Sequence, residues 1–204
     1  MLEVHDLAAR RGHARLFDSL SFAVEASRAL VVTGANGTGK TTLLRMLAGL
    51  TLPAAGEIRW DGRPVAPFDR GLRAAIAFVG HAPALKDELT TEENLHLLVA
   101  LAGESVSAAA IGSALDAVSL ASRRALPARV LSQGQRRRIG LARLSLLTRP
   151  LWILDEPATA LDAAGTALLA QMIAAHLDRG GVAVAATHTP LGLPPAQFES
   201  IALG

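Results

Sequence analysis

One short stretch constrains the fold more than any other, because it joins a predicted buried strand to a predicted helix. Residues 34–41 have the sequence GANGTGKT and fit the pattern G-x-x-x-x-G-K-[ST]. The apolar run from Ala29 to Thr33 predicts the buried strand, and leucines on one face predict a helix from Lys40 to Leu50. Glycines let backbone N–H groups converge on phosphate oxygens, and the helix start adds positive potential. The stretch therefore predicts a phosphate site.

Each part of this phosphate-binding loop has an expected task. We expect Lys40 to reach the β- and γ-phosphates of a nucleotide and the Thr41 hydroxyl to ligate Mg²⁺. A plain strand–turn–helix corner is the alternative, but such a corner would not require both a lysine and a threonine at these positions. The residues predicted to bind the nucleotide are Gly34, Ala35, Asn36, Gly37, Thr38, Gly39, Lys40, Thr41 and Thr42.

A second predicted buried strand ends in two carboxylates. Residues 151–156 have the sequence LWILDE. If this strand lies beside the one that leads into the loop, Asp155 would hold Mg²⁺ through its water shell. Glu156 would polarise the attacking water, because phosphoryl transfer needs a positioned nucleophile. An apolar strand followed by Asp-Glu is common by itself, so this interpretation depends on the motifs around it.

Composition excludes several classes of protein. Half of the 204 residues are hydrophobic and the net charge is only +2, so disorder is not expected. The pI of about 9.9 overstates the basic character, because there are no Tyr or Cys residues and only two lysines. We therefore predict no nucleic-acid binding, and we interpret the arginines at 136–138 as a solvated helix face. The chain has no cysteine, which suits a reducing compartment, and no apolar stretch long enough to insert into a membrane.

The order of elements predicts an α/β fold in one domain, 1–204. Strands alternate with helices, which indicates a mostly parallel sheet covered on both faces. A helical lobe is predicted within the domain at about 82–131, where Thr90 and Glu93 form a capping box. The other predicted strands span 2–7, 16–24, 56–60 with its partner at Val65 across the turn Asp61-Gly62, 75–79, 151–154, 182–186 and the region of Ile201. The other predicted helices span 111–118, 132–147 and 162–177.

Further motifs identify the family. The sequence LSQGQ at 131–135 resembles the LSGGQ signature of ABC ATPases, with Gln133 in place of one glycine. It lies just upstream of the strand that ends in Asp155. Ala160-Leu161-Asp162 resembles the D-loop, and His188 resembles the switch histidine. The resemblance covers essentially the whole chain and implies a P-loop NTPase of the ABC ATPase type. The expected fold is a RecA-like, mostly parallel sheet with a small antiparallel β part and a helical lobe.

The resemblance implies further site residues and a dimer. In this family two ATPase subunits face head to tail, and each ATP lies between one subunit's P-loop and the other's signature. Ser132, Gly134 and Gln135 would bind the partner's ATP at a helix start, together with Asp162. His188 and Glu156 would be catalytic. His81 stands where most ABC ATPases have a glutamine that contacts Mg²⁺ or its water. We expect it to be catalytic, and a strand-end histidine with no role is the alternative.

A narrower resemblance is to the haem-exporter ATP-binding subunits of cytochrome c maturation. The segments that carry it are 16–22, 79–95 and 150–157, and His81 is typical of these subunits. It implies integral membrane partners and a peripheral place on the cytoplasmic side of the bacterial inner membrane. An ABC transporter subunit for another cargo stays an alternative, because membrane partners choose the cargo. So does an ABC ATPase acting on nucleic acid, although this chain lacks the long coiled-coil insertion usual in those proteins.

Adenine recognition departs from the family pattern. The aromatic residue that usually stacks on adenine before the second strand is absent. Arg11 or His13 lies near that place, and a guanidinium can stack on a ring. Trp60 and Trp152 lie in predicted strands, so we expect them in the core.

Overall fold

The computed structural model describes residues 1–12, 14–66 and 68–204. Strands and helices alternate through most of the chain after an antiparallel start. The strands are β1 (Leu2–Arg11), β2 (Ala14–Val24), β3 (Ala29–Gly34), β4 (Ala55–Trp60), β5 (Arg63–Pro64), β6 (Ile76–Val79), β7 (Leu151–Asp155), β8 (Val182–Ala186) and β9 (Phe198–Leu203). The helices are α1 (Lys40–Leu47), α2 (Arg70–Ala75), α3 (Thr91–Leu101), α4 (Ala108–Ala117), α5 (Gln133–Leu146) and α6 (Ala163–Asp178).

Two sheets form the framework. The strands β6, β7, β8, β3 and β9 lie in that order and pair in parallel, so their carboxyl ends meet at one edge. The order β2-β1-β4-β5 makes a smaller antiparallel sheet. The predicted fold class, a mostly parallel sheet with a small antiparallel part, is confirmed.

Side-chain alternation along the parallel strands separates two apolar clusters. Leu30 and Val32 of β3 point into one cluster, which also holds the leucines of α1 and the inner face of the antiparallel sheet. Ala29 points into the other cluster, which holds the apolar faces of α3, α4, α5 and α6. The large sheet is therefore covered on both faces, as parallel sheets usually are. Trp152 belongs to the helical side and is buried, whereas Trp60 is only half-buried against the other cluster.

Most predicted elements are present, with shifted ends. The turn Asp61-Gly62 joins β4 to β5 with positive φ at both residues (48° and 74°), the geometry of a type I′ hairpin. The capping box of Thr90 and Glu93 starts α3 as predicted. Helix α1 ends at Leu47, three residues before the predicted end at Leu50.

The prediction of a strand from Ala75 was wrong at its first residue. Ala75 is the last residue of α2, a short helix that the sequence reasoning missed. Asp69 caps it by accepting a hydrogen bond from the Leu72 N–H at 2.7 Å. Only Leu72 is buried in this helix, so its apolar face is too short to show a period.

Helices α3 and α4 lie in the predicted lobe at 82–131, and both pack against α5. The division of 1–204 into one domain with this lobe stays a prediction. Within the described residues, no helix combines the length and the apolar character needed to cross a membrane.

Candidate nucleotide site

The loop at 34–39 is shaped by its first and last glycines. Gly34 ends β3 with φ at 139°, and a Cβ there would lie 2.3 Å from the Leu203 carbonyl oxygen, so no side chain fits. Gly39 precedes α1 with φ at 103°. Among the described residues, no side chain accepts a hydrogen bond from the first N–H groups of α1. These N–H groups therefore offer donors to an anion at the helix start.

Lys40 lies inside this loop. It is only 8% exposed, and its Nζ donates hydrogen bonds to the carbonyl oxygens of Gly34 at 2.7 Å and Ala35 at 3.0 Å. The Thr38 hydroxyl donates to the same Ala35 oxygen at 3.0 Å. A buried ammonium bonded only to carbonyls keeps its positive charge uncompensated, which favours an anionic ligand in this loop.

Thr41 and Asp155 join the helix to the end of the neighbouring strand. The Thr41 hydroxyl lies 3.0 Å from Oδ2 of Asp155 and 3.2 Å from Oδ1. Asp155 is 3% exposed, at the carboxyl end of β7. The sheet order places β8 between β3 and β7, so the loop after β3 and the end of β7 face each other across β8. The structure thus brings together the two residues predicted to hold Mg²⁺.

Glu156 follows β7 in an uncommon conformation. Its φ is 49°, and its N–H donates to the Ala186 carbonyl at 2.8 Å. A residue other than glycine in this region is strained and persists only where its surroundings hold it. The Glu156 carboxylate accepts a weak hydrogen bond from the His188 N–H at 3.4 Å, and the His188 Nε2 lies 3.6 Å from its Oε1. The same Nε2 lies 3.2 Å from Oδ1 of Asn36. His188 therefore bridges Glu156 and the phosphate-binding loop.

His81 faces the same space from the end of β6. A cavity of about 360 Å³ opens above the loop, and most of the predicted site residues line it. Its lining consists of Arg11, Leu16, Asn36, Gly37, Gly39, Lys40, Thr41, Thr42, His81, Asp155 and Glu156.

Two of these lining residues lie where a nucleotide's adenine is expected. Arg11 was one of the two predicted adenine contacts, and the other, His13, lies outside the described residues. Leu16 was missed, and its place in a half-exposed, alternating strand gave no signal for a ligand contact.

The signature residues lie away from this cavity, at the start of α5. Ser132 caps the helix by accepting from the Gln135 N–H at 3.2 Å, and the Gln135 side chain accepts from the Ser132 N–H at 3.0 Å. The spacing S-x-x-Q is itself a capping-box pattern, so the sequence carried this signal. A Cβ on Gly134 would lie 2.6 Å from the Ala160 carbonyl oxygen, which requires glycine here. Within the part of the chain that the structure describes, Ser132, Gly134 and Gln135 are not among the cavity-lining residues.

Asp162 also lies outside the cavity lining. It caps α6 by accepting from the Gly165 N–H at 2.8 Å, and it pairs with Arg138 at 2.6 Å. Both interactions hold the pKa of Asp162 below its usual range, the Gly165 N–H most strongly. Arg138 connects α5 to the segment that follows Glu156.

The interpretation of the arginines at 136–138 as a solvated helix face was wrong. Arg137 is only 3% exposed, and it donates to the carbonyls of Gly80 at 2.7 Å and Glu156 at 2.8 Å. Arg136 pairs with Asp87 and donates to the Ala128 carbonyl at 3.1 Å. Successive helical residues point about 100° apart, so the three side chains leave α5 in different directions. Each of the three arginines binds a different segment of the chain.

Comparison with known proteins gives the class. The family model described as ABC transporter matches residues 17–159. The chain belongs to the ABC transporter family, and it is an ATP-hydrolysing ATPase of that family.

Closer relatives share nearly the whole chain. It is 50% identical over 202 residues to the cytochrome c biogenesis ATP-binding export protein CcmA of Aromatoleum aromaticum, covering 98% of this chain and 94% of the relative. The protein of the same name from Dechloromonas aromatica is 47% identical over 204 residues, with 100% of each chain covered.

Solved structures agree on the fold. The ATP-binding subunit of an ABC transporter superposes with a TM-score of 0.79 at 27% identity, covering 92% of this chain and 79% of the other. A dimeric ATP-binding cassette in a post-hydrolysis state, bound to ADP and Pi, superposes with a TM-score of 0.80 at 22% identity. It covers 93% of this chain and 88% of the other.

Proposed function

We propose that this chain is the ATPase subunit of a membrane complex that exports or delivers haem for cytochrome c maturation. The observation that carries the proposal is the full-length similarity, at 50% and 47% identity, to proteins named for ATP-driven export in cytochrome c biogenesis. The cavity-lining His81, which the sequence resemblance associates with these subunits, supports the same assignment.

The site residues divide the work of hydrolysis. Lys40 and the free N–H groups at the start of α1 bind the phosphates and offset their charge. Glu156 orients the attacking water and accepts its proton, and His188 supports the Glu156 carboxylate while it reaches Asn36 in the loop. His81 reports the γ-phosphate from the end of β6. Arg11 stacks on adenine.

The donor set at Thr41 and Asp155 fits Mg²⁺. A hydroxyl and a buried carboxylate, joined at 3.0 Å, are the oxygen ligands that this ion prefers. Among the described residues, no group of three or more acidic, histidine or cysteine side chains is arranged so that it could hold a metal ion. This agrees with an ion held by one or two protein oxygens, water and phosphate rather than by a protein cage. When bound, the ion would neutralise charge on the β- and γ-phosphates.

A second copy of the chain would complete each site. Ser132, Gly134 and Gln135 form a helix start that lies outside the chain's own cavity, so they are available to the ATP of a partner. A head-to-tail dimer places each signature against the other subunit's phosphate-binding loop, and Asp162 lies beside the same interface.

Membrane subunits would dock beside the lobe, on the groove bordered by residues 81–89. Ala82, Pro83, Ala84 and Leu85 line a cavity of about 230 Å³ there. A larger groove of about 710 Å³ adjoins it through Phe78 and Arg143, and the exposed Leu101 lies on its rim. Docking here would hold the ATPase at the cytoplasmic face of the inner membrane.

Deletion of the gene in the organism that encodes the chain tests the cargo. We expect the loss of covalently bound haem in c-type cytochromes, with b-type cytochromes retained. Wild type on a plasmid should restore the c-type cytochromes, and Glu156→Gln, expressed at the same level, should not. Unchanged c-type cytochromes in the deletion strain would favour an ABC transporter ATPase for another cargo.

Fractionation tests the docking groove. The chain should reach the membrane fraction only with its transporter partners co-expressed, and salt should release it less than it releases a basic lipid anchor. Leu85→Asp should abolish recruitment. Since Leu85 also packs on the core, Ala84→Asp on the exposed part of the same segment gives an independent variant. Ala109→Asp, exposed on α4, is the matched control. Recruitment that survives both groove variants would exclude this surface.

A further inference from the structure

Arg137 stands out because it is a buried charge that none of the proposed catalytic roles uses. It lies just over one helical turn after Ser132 on α5, and it is only 3% exposed. Nη1 donates to the Gly80 carbonyl at 2.7 Å, and Nη2 donates to the Glu156 carbonyl at 2.8 Å. Burial lowers the pKa of Arg137, while the carboxylates of Asp155 and Glu156 act in the opposite direction.

The two acceptors belong to the two loops that carry the proposed catalytic groups. Gly80 immediately precedes His81, and Glu156 is the proposed water-positioning residue. The planar fork of arginine presents two N–H groups in fixed directions, so it can hold two carbonyls at a set separation. A lysine ammonium is a single point and cannot span them in the same way.

The conformation of Glu156 explains why such a tie is needed. Its φ of 49° is uncommon for a residue other than glycine and must be imposed by neighbours. The Ala186 carbonyl fixes the N–H of Glu156 from β8, and Arg137 fixes its carbonyl from α5. With both sides of the residue held, the Glu156 side chain is aimed toward the cavity that it lines.

We propose that Arg137 is a positioning residue for ATP hydrolysis, which aims Glu156 and ties it and the strand end before His81 to helix α5. This inference rests on the proposed roles of Glu156 and His81. Because α5 begins at Ser132, which would contact the partner subunit's ATP, the tie makes the position of the signature and the aim of Glu156 depend on each other. Nucleotide binding by Lys40 and the loop does not involve Arg137.

The test compares three variants of the full chain by steady-state ATPase and by nucleotide titration. For Arg137→Met we expect kcat to fall about 10-fold to 100-fold, as expected from a small misplacement of a catalytic group. KM for ATP should stay within about 3-fold, since binding uses other groups. Arg137→Lys should recover part of kcat. Arg124→Met, which removes an arginine fork paired with Glu92 on the lobe, should leave kcat within about 2-fold.

Stability is separated from positioning in two ways. Titration with a fluorescent ATP analogue counts the folded sites, and kcat is expressed per binding site. Arg137→Lys keeps the charge and most of the packing, so its kcat per binding site still tests the positioning role if Arg137→Met folds poorly. A kcat per site that matches the Arg124→Met control in either folded variant would overturn the proposal.

A double variant tests whether Arg137 acts through Glu156. In a Glu156→Gln background, adding Arg137→Met should reduce the residual single-turnover rate far less than it reduces the wild-type rate, because the group that it aims is already lost. If Arg137→Met lowers the rate by the same factor in the Glu156→Gln background as in wild type, Arg137 acts independently of Glu156, and the proposal is overturned. If Glu156→Gln itself keeps normal turnover, the proposed role of Glu156 fails instead, which is a different result.

Discussion

The two halves of the nucleotide apparatus are built in different ways. The half that is proposed to hold the phosphates lies between the ends of β3 and β7 and the start of α1, with Lys40 and Asp155 almost fully buried. The half that carries the signature is a helix start, where Ser132 and Gln133 are exposed. Sheet pairing fixes the first half, since Asp155 pairs with Ala186 in register. The second half is held by a capping box and by arginine contacts.

We call the half that strand pairing holds the fixed half, and the half that side-chain contacts hold the adjustable half. Strand pairing holds the ends of β3 and β7 on either side of β8, because a parallel strand cannot shift without breaking its ladder. The signature helix lies outside both sheets, and Arg137 and Arg138 tie it to Glu156 and Asp162. In the proposed head-to-tail dimer, a complete site forms only when two chains bring a fixed half and an adjustable half together.

The largest effect is expected in the fixed half. Glu156→Gln should lower turnover at least about 100-fold, because a positioned general base commonly contributes 10²- to 10⁴-fold. ATP binding should persist, since Lys40 and the Mg²⁺ ligands are unchanged, and a nucleotide-trapped dimer should accumulate. Turnover and size-exclusion chromatography in ATP and Mg²⁺ measure both effects. Glu25→Gln, at an exposed carboxylate, is the control. Unchanged turnover in Glu156→Gln would remove Glu156 from the mechanism.

A binding measurement on isolated chains separates the halves. Lys40→Ala should weaken ATP binding at least about 10-fold, as expected on losing a buried charged donor to phosphate. Ser132→Arg should leave binding to the isolated chain unchanged, although losing the helix cap costs about 1 kcal/mol of stability. Equilibrium titration at a chain concentration too low for dimers is the measurement. Equal loss of ATP affinity in both variants would show that both halves of one nucleotide site belong to the same chain.

A smaller effect is expected at the adenine end of the fixed half. Arg11→Ala should raise KM for ATP about 3-fold to 10-fold, the size expected for one stacked guanidinium, with kcat nearly unchanged. Its neighbour Arg10, also exposed on β1, supplies the control Arg10→Ala. If Arg11→Ala and its control give the same KM, adenine is bound elsewhere.

The smallest effect concerns stability alone, outside both halves. His176 is buried, stacks on Trp152 at 4.0 Å between ring centroids, and has Nε2 3.2 Å from the Val182 carbonyl. Burial lowers the pKa of His176, and Arg179 adds to this. The unfolded chain therefore takes up this proton first as pH falls below about 6.5. The contribution of His176 to stability is complete above that pH and is lost as pH falls toward the lower, folded-state pKa.

His176→Phe tests this expectation because a phenyl ring can keep the stack without titrating. The free energy of unfolding of wild type should fall more steeply below pH 6.5 than that of His176→Phe. The difference in slope cannot exceed about 1.4 kcal/mol per pH unit for one proton. Denaturant melts from pH 5 to 8 measure it, and ATP affinity at pH 8 should be the same in both proteins. Parallel pH profiles would contradict the expected direction.

The fixed half could be predicted from sequence more fully than the adjustable one. Short sequence patterns predicted this half: the glycine spacing with Lys40 and Thr41, and the strand that ends at Asp155. The structure brings these residues together. The position of Arg137 depends on two carbonyls far away in sequence, so no local pattern specified its partners. The 100° helical step spreads three consecutive arginines over about 200° of the helix, so it did not show which of them would be buried. The short helix α2 was missed because a single buried leucine has no period.

The account's central claim is that a working site takes one half from each of two chains. Mixing Lys40→Ala with Ser132→Arg under exchanging conditions tests this claim most directly. Random pairing makes half of the dimers mixed, and each mixed dimer has one intact site, so turnover should recover to about one quarter of wild type. Mixing Lys40→Ala with Glu156→Gln should recover nothing, because both defects lie in the fixed half and every site keeps one of them. Recovery in the first mixture alone is the predicted result, and no recovery in the first mixture, or equal recovery in both, would contradict the claim.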